Sequence, residues 1–156
     1  MKKYIKNTLG VTLLLISINA FSSNESEKED LYDIATKLSV CSGNFEFSSL
    51  INKSLGNEAT SKSLHEFSNG WLLAGYANYF FSGLTHEMAK SSSDGNKETT
   101  LTYWLAKLEG TDKDEKKIIK LIDSLASKIK ICTLYEDLVV YSQKQIKMHI
   151  SEASKL

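Results

Sequence analysis

The sequence predicts an all-α protein, a bundle of four to five helices. Proline is absent from all 156 residues, so no residue of this type interrupts a helix. Most of the glycines lie between stretches in which apolar residues recur every three or four positions, the spacing of one helix face. These observations favour long helices joined by short loops.

The N-terminus has the three-part pattern of a secretory signal peptide. Three lysines precede the apolar run Leu9–Ile18, and small residues follow it. The run is too short to span a bilayer, which needs about 20 apolar residues. We expect a signal peptide over residues 1–20, cleavage near Ala20 to Ser22, and a single helical domain over 21–156 without a membrane span. An uncleaved N-terminal anchor is the alternative.

The charge balance bears on the partners of the exported chain. Without its signal peptide the chain has sixteen basic and nineteen acidic residues, a net charge of −3. This argues against nucleic-acid binding, which leaves a basic footprint. All basic residues are lysine, whereas arginine is the usual bidentate clamp for phosphate and carboxylate groups. The compartment that the signal peptide favours is the periplasm of a Gram-negative-type envelope.

Two helices are predicted in the first half of the exported chain. The first covers residues 27–55, with a kink or short break at Gly43-Asn44, where its apolar stripe shifts to another face. The second covers residues 64–90. Its centre, residues 71–84 (WLLAGYANYFFSGL), carries no charge on any face, which is typical of a helix buried on several sides.

The second half is predicted as a loop and two further helices. Residues 91–96 (SSSDGN) have the composition of a loop, and a short amphipathic helix follows over 98–109. The last helix covers 112–151 with Thr111 as its N-cap. Forty residues is long for a helix of a globular protein. The alternative to one continuous helix is two helices separated by a break near Cys132.

The two cysteines, Cys41 and Cys132, each lie on the apolar stripe of a predicted helix. An even number of cysteines in an exported protein favours a disulfide. The bond would connect the first helix to the last. Two buried thiols or an intermolecular bridge are the alternatives, and a redox role is disfavoured because there is no C-x-x-C motif.

Catalytic and metal-binding motifs find no support in the sequence. The histidines at positions 65, 86 and 149 show no H-x-x-x-H or E-x-x-H spacing, and no serine sits in G-x-S-x-G. Glu58 and Glu66 offer a carboxylate pair of the kind that glycosidases use, although helix capping explains Glu66 more simply. We therefore predict no enzyme activity, no cofactor and no metal.

The aromatic cluster of the uncharged helix is the best functional lead. Trp71, Tyr76, Tyr79 and Phe80 fall on more than one helix face, so a small bundle need not bury them all. Tyr and Trp are enriched both in cores and at interfaces. Core packing is the first interpretation. A protein-binding or self-association surface and a pocket for a small apolar ligand are the other two.

These observations lead to a functional expectation. We expect a non-enzymatic protein-binding module, such as an inhibitor or immunity-type factor, whose partner is another protein or a second copy. The first alternative is a carrier for a small apolar ligand or haem. His86 and Met88 are the candidate haem ligands. A hydrolase of envelope polymers is the second.

Overall fold

A computed structural model describes residues 25–153 of the chain, with side chains over 30–149. The predicted all-α bundle of four to five helices is confirmed, and the described residues form no strand. The predicted signal peptide lies outside the described residues. The helical elements follow in this order: α1 (Glu25–Ser54), α2 (Glu58–Phe81), α3 (His86–Glu109), α4 (Glu115–Cys132), a 3-10 turn (Thr133–Tyr135) and α5 (Glu136–Ala153).

Helix α1 runs continuously through Gly43-Asn44, so the predicted break is absent. A Cβ added to Gly43 would lie 2.6 Å from Cβ of Thr100 and 2.7 Å from the carbonyl oxygen of Lys97 on α3. Glycine is therefore required here by close helix packing, not by a bend. The Asn44 side chain accepts a hydrogen bond from Nε1 of Trp104 at 2.7 Å and does not compete with the helix backbone.

The boundary between α2 and α3 differs most from the prediction. Helix α2 begins at Glu58, before the predicted residue 64, and ends at Phe81. Gly83 has a φ of +104°, and the Thr85 hydroxyl accepts a hydrogen bond from the Met88 amide as the N-cap of α3. The predicted loop at 91–96 is part of α3.

The predicted last helix is divided into α4 and α5. Asp112 and Lys113 have positive φ angles in the preceding turn. Asp114, instead of the predicted Thr111, is the N-cap of α4 and accepts from the Lys117 amide at 3.1 Å. The break considered near Cys132 is present as the 3-10 turn.

The predicted disulfide between Cys41 and Cys132 is present and links α1 to the end of α4, with 5.7 Å between the two Cα atoms. Around it, apolar side chains from α1, α2 and α5 form the largest buried cluster. A second cluster stacks Phe47 on Trp104, with Leu121 and Leu125 of α4 beside them. None of the helices within residues 25–153 is both long and apolar enough to cross a membrane.

Candidate functional site

The structure divides the four aromatic residues of the predicted binding surface into two pairs. Trp71 and Tyr79 are buried, whereas Tyr76 is half-buried and Phe80 is exposed. The helical period explains the division, because positions 76 and 80 lie one turn apart on the same face. Only Tyr76 and Phe80 are therefore placed to meet a binding partner.

The two buried aromatics join helices within the bundle. Trp71 packs against Phe45 of α1 at 5.5 Å between ring centroids. The Tyr79 hydroxyl lies 2.7 Å from the Thr36 hydroxyl and accepts a hydrogen bond from Asn96 Nδ2 at 2.7 Å. Burial raises the pKa of Tyr79, so this phenol stays protonated and bonded to α1 and α3. Both side chains fill the core, and Trp71 also lines a smaller groove between α2 and α5.

Tyr76 lines a groove where α3 folds back beside α2, and Phe80 stacks on another lining residue, His86. The groove has a volume of about 570 Å³ and is open to solvent. Its apolar part comes from Leu72, Leu73 and Tyr76 of α2, and Leu73 is 44% exposed. The groove is lined by nine residues: Asn69, Leu72, Leu73, Tyr76, His86, Glu87, Lys90, Ser93 and Asp94.

An aromatic and histidine cluster closes one end of this groove. The Tyr76 hydroxyl is hydrogen-bonded to Nδ1 of His86, and the His86 ring stacks on Phe80 at 4.5 Å between centroids. His86 is the first residue of α3, so the Thr85 cap that starts this helix also places the imidazole. The pairing fixes the orientation of Tyr76 and His86 at the end of the apolar surface.

Charged residues of both signs border the groove on the α3 side. Glu87, Lys90 and Asp94 are all among its lining residues. Lys90 Nζ lies 2.5 Å from Asp94 Oδ2, one helical turn away. An apolar strip bordered by charges resembles the general organisation of protein interfaces, with an apolar centre and a polar rim.

A chain of polar contacts leads from the other end of the groove to α1. Asn69 Nδ2 lies 3.1 Å from His65 Nε2, and His65 Nδ1 lies 3.0 Å from the Glu46 carboxylate. Lys97 Nζ is 3.2 Å from the same carboxylate. Burial acts to raise the pKa of Glu46, but hydrogen bonds from Ser68, His65 and Lys97 together lower it below the usual value. Glu46 thus stays ionised and holds α1, α2 and α3 together.

A second, smaller groove of about 400 Å³ lies between α2 and α5. Glu66 and Glu136 are among its lining residues, and both are exposed to solvent. Phe67 and Val140 supply apolar surface there. The two carboxylates share one kind of environment, whereas an acid and base pair in a glycosidase needs two different ones.

The three histidines are not brought together. His65 contacts Glu46, His86 contacts Tyr76, and His149 packs against Phe81 at 5.4 Å between ring centroids. No group of three or more His, Cys, Asp or Glu residues within the described part of the chain is arranged to hold a metal ion.

Sequence reasoning missed Leu73, Glu87 and Asp94 as groove residues. One signal was available for Leu73, since positions 73, 76 and 80 follow helical spacing on one face. Glu87 and Asp94 become neighbours of that face only because α2 ends at Phe81 and the chain turns back. No family model, no curated protein and no solved structure matches this chain.

Proposed function

We propose that this protein is an exported, non-enzymatic binding module that holds an apolar segment of another protein in the groove between α2 and α3. The observation that carries the proposal is the open apolar strip of Leu72, Leu73 and Tyr76, bordered by charges of both signs. An amphipathic helix of the partner fits this surface, because its apolar side would cover the strip while its polar edges meet the charges.

The periplasm is the proposed compartment. The N-terminal signal pattern supports it, and the Cys41–Cys132 disulfide suits an oxidising environment. An inhibitor or immunity-type role is consistent with a small stapled bundle that presents a preformed groove. Preformed surfaces bind more tightly because less ordering entropy is lost on association.

A carrier for a small apolar ligand is the second candidate. The volume of about 570 Å³ falls within the range of ligand pockets, which is roughly 300–1,000 Å³. Such pockets usually bury most of their ligand, whereas this groove is open along its length. Protein binding therefore has the stronger support, and hydrolysis of envelope polymers has the weakest.

Site-specific photocrosslinking tests the proposed groove. A benzophenone amino acid placed at position 73 in cells should form one covalent adduct with a periplasmic protein, and the same probe at position 105 should not. Leu105 is a matched control because it is 40% exposed on α3, close to the 44% of Leu73, and does not line the groove. Mass spectrometry of the adduct identifies the partner.

Purified variants then measure the contribution of the groove to binding. Leu73→Asp should weaken binding to that partner at least tenfold, while Leu105→Asp should leave it unchanged. Equal crosslinking at both positions, or equal binding by both variants, would refute the proposal. A small molecule that co-purifies with the wild type but not with Leu73→Asp, detected by native mass spectrometry, would establish the carrier instead.

A further inference from the structure

A second apolar surface lies on α4, the 3-10 turn and α5, on a face that no other described helix covers. Ile131, Leu134, Leu138, Tyr141 and Met148 are all exposed, and Leu134 is 78% exposed. With Gln145 they follow a spacing of three and four residues, as at the a and d positions of a heptad repeat. We call these six residues the α5 stripe.

The stripe residues of α5 are distinct from the residues that this helix buries against the bundle. The neighbouring, buried side of α5 carries Val139 and Ser142, and the Ser142 hydroxyl accepts a hydrogen bond from Asn78 of α2. The backbone keeps right-handed helical angles at Cys132, Thr133 and Glu136, across the 3-10 turn. The part of the stripe on α5, from Leu138 to Met148, is about 15 Å long at the rise of 1.5 Å per residue.

Charges beside the stripe indicate what covers it. Asp137 and Lys144 both occupy the position that precedes an a residue, seven residues apart and on the same edge. Residues seven apart on one helix lie two turns from each other, so the two side chains do not pair within one chain. In an antiparallel pair of identical helices, however, residues on this edge face each other across the seam.

We propose that the α5 stripe is the interface of an antiparallel homodimer with two-fold symmetry. A single register satisfies every position. Leu138 meets Tyr141 of the second copy, Leu134 meets Gln145, and Ile131 meets Met148. The same register brings Asp137 beside Lys144 of the second copy, and symmetry forms this ion pair twice.

A parallel arrangement fits the sequence less well. It would place Gln145 against Gln145 of the second copy and Lys144 beside His149, and it would leave Asp137 without an opposite charge. The antiparallel arrangement places each polar stripe residue beside an apolar one and neutralises both charges. The stripe is short compared with obligate interfaces, so we expect a dimer that dissociates in the micromolar range.

This surface differs from the α2–α3 groove of the proposed function, and the dimer does not depend on that groove. Helix α5 contributes none of the residues that line the groove. A dimer formed through α5 would therefore leave both grooves open. If the protein binds a partner as proposed, each dimer would hold two partner segments.

Sedimentation velocity of the oxidised, signal-cleaved protein between about 1 and 200 μM tests the dimer. The wild type should shift from monomer to dimer with concentration, and Leu138→Asp should raise the dissociation constant at least tenfold. Circular dichroism and a non-reducing gel check that each variant keeps its helices and its disulfide.

Charge reversal tests the antiparallel register. Asp137→Lys and Lys144→Asp should each weaken the dimer, because each places like charges opposite each other. The double variant should restore association, and an equimolar mixture of the two single variants should form heterodimers. Lys147→Asp is the matched control, since Lys147 lies on the far side of α5 and should leave association unchanged.

Three results would overturn the proposal. The first is a wild type that remains monomeric throughout this range. The second is a dimer that Leu138→Asp does not weaken. The third is a double charge variant that associates no better than either single variant. The first two exclude the surface, and the third excludes the antiparallel register.

Discussion

Helices α1 to α3 and helices α4 and α5 are held in the molecule in different ways. Between α1 and α2, small residues allow close approach. The Ser42 hydroxyl donates to the Ser68 carbonyl at 2.8 Å, and the Ser49 hydroxyl donates to the Ser61 carbonyl at 2.8 Å. Helices α4 and α5 instead contact the bundle through one narrow face each and leave large apolar side chains, such as Ile131 and Val140, exposed.

From this difference we infer which surfaces remain available for binding. The small side chains of α1 and α2 form hydrogen bonds with each other and are buried, so that interface has no further capacity for a partner. The outer faces of α4 and α5 and the α2–α3 groove retain apolar surface in contact with water. Apolar patches of this kind commonly mark interaction sites.

Removal of the disulfide should lower the unfolding free energy more than any other change considered below. It should destabilise α4 and α5 more than α1 to α3. The bond closes a loop between residues 91 positions apart, and its loss through Cys41→Ala with Cys132→Ala should cost about 4.6 kcal/mol in the chain-entropy model. Urea unfolding at low protein concentration measures the change. The unfolding free energy of a domain is only about 5–15 kcal/mol, so the variant should be close to the limit of folding.

Hydrogen exchange measures which helices are destabilised when the disulfide is removed. Amides of α4 and α5 should lose more protection than amides of α1 to α3, because without the disulfide the turn between α3 and α4 is the remaining covalent link between these two groups of helices. Reduced wild-type protein is the control and should behave as the double variant does. An equal loss of protection in all five helices would contradict the comparison.

Two glycines provide the next largest effect and have opposite expected signs. Gly43→Ala should destabilise the protein by about 1–3 kcal/mol, because the added Cβ collides with Thr100 and with the Lys97 backbone. Gly95→Ala on α3 should stabilise it by up to about 1 kcal/mol, because nothing lies within 4 Å and alanine favours the helix. Thermal unfolding followed by circular dichroism measures both changes.

The two substitutions together test how closely α1 and α3 are packed. If Gly43→Ala is as stable as the wild type, α1 and α3 are not as close as described. If Gly95→Ala destabilises the protein, its site on α3 is not the open helical position that the structure shows.

Some of the fold could be predicted from the sequence, because its causes are local. The apolar stripes placed Cys41 and Cys132 on inward faces, and their pairing was correctly anticipated. The continuous α1 could not be foreseen, since Gly43 is required by a contact with α3. Its sequence signal is the same as that of a bend, and only the tertiary contact separates the two.

The groove was harder to predict because it depends on where α2 ends. The apolar run extends to Leu84 without a charge, so the pattern favoured a helix that continues to residue 90. The helix stops earlier because Gly83 adopts a positive φ and Thr85 caps α3. Only that turn brings His86 and Lys90 beside Tyr76, because in an uninterrupted helix these residues would lie about 15 and 21 Å from Tyr76 along the axis.

The smallest predicted effect concerns the Glu46 carboxylate, where α1, α2 and α3 meet. Its folded-state pKa is lowered by contacts that outweigh burial, whereas an unfolded glutamate has a pKa of about 4.3. The ionised carboxylate therefore stabilises the fold above pH about 4.3, and this contribution is lost as the pH falls through the folded-state pKa.

Glu46→Gln keeps the shape of this side chain but removes its charge. We expect the unfolding free energy of the wild type to fall more steeply than that of Glu46→Gln between pH 6 and pH 3, by about 1 kcal/mol or less. Urea unfolding at each pH measures this difference. Glu98→Gln, on the exposed side of α3, is the matched control and should follow the wild type. Parallel curves for wild type and Glu46→Gln would show that the ionised carboxylate does not hold the first three helices together.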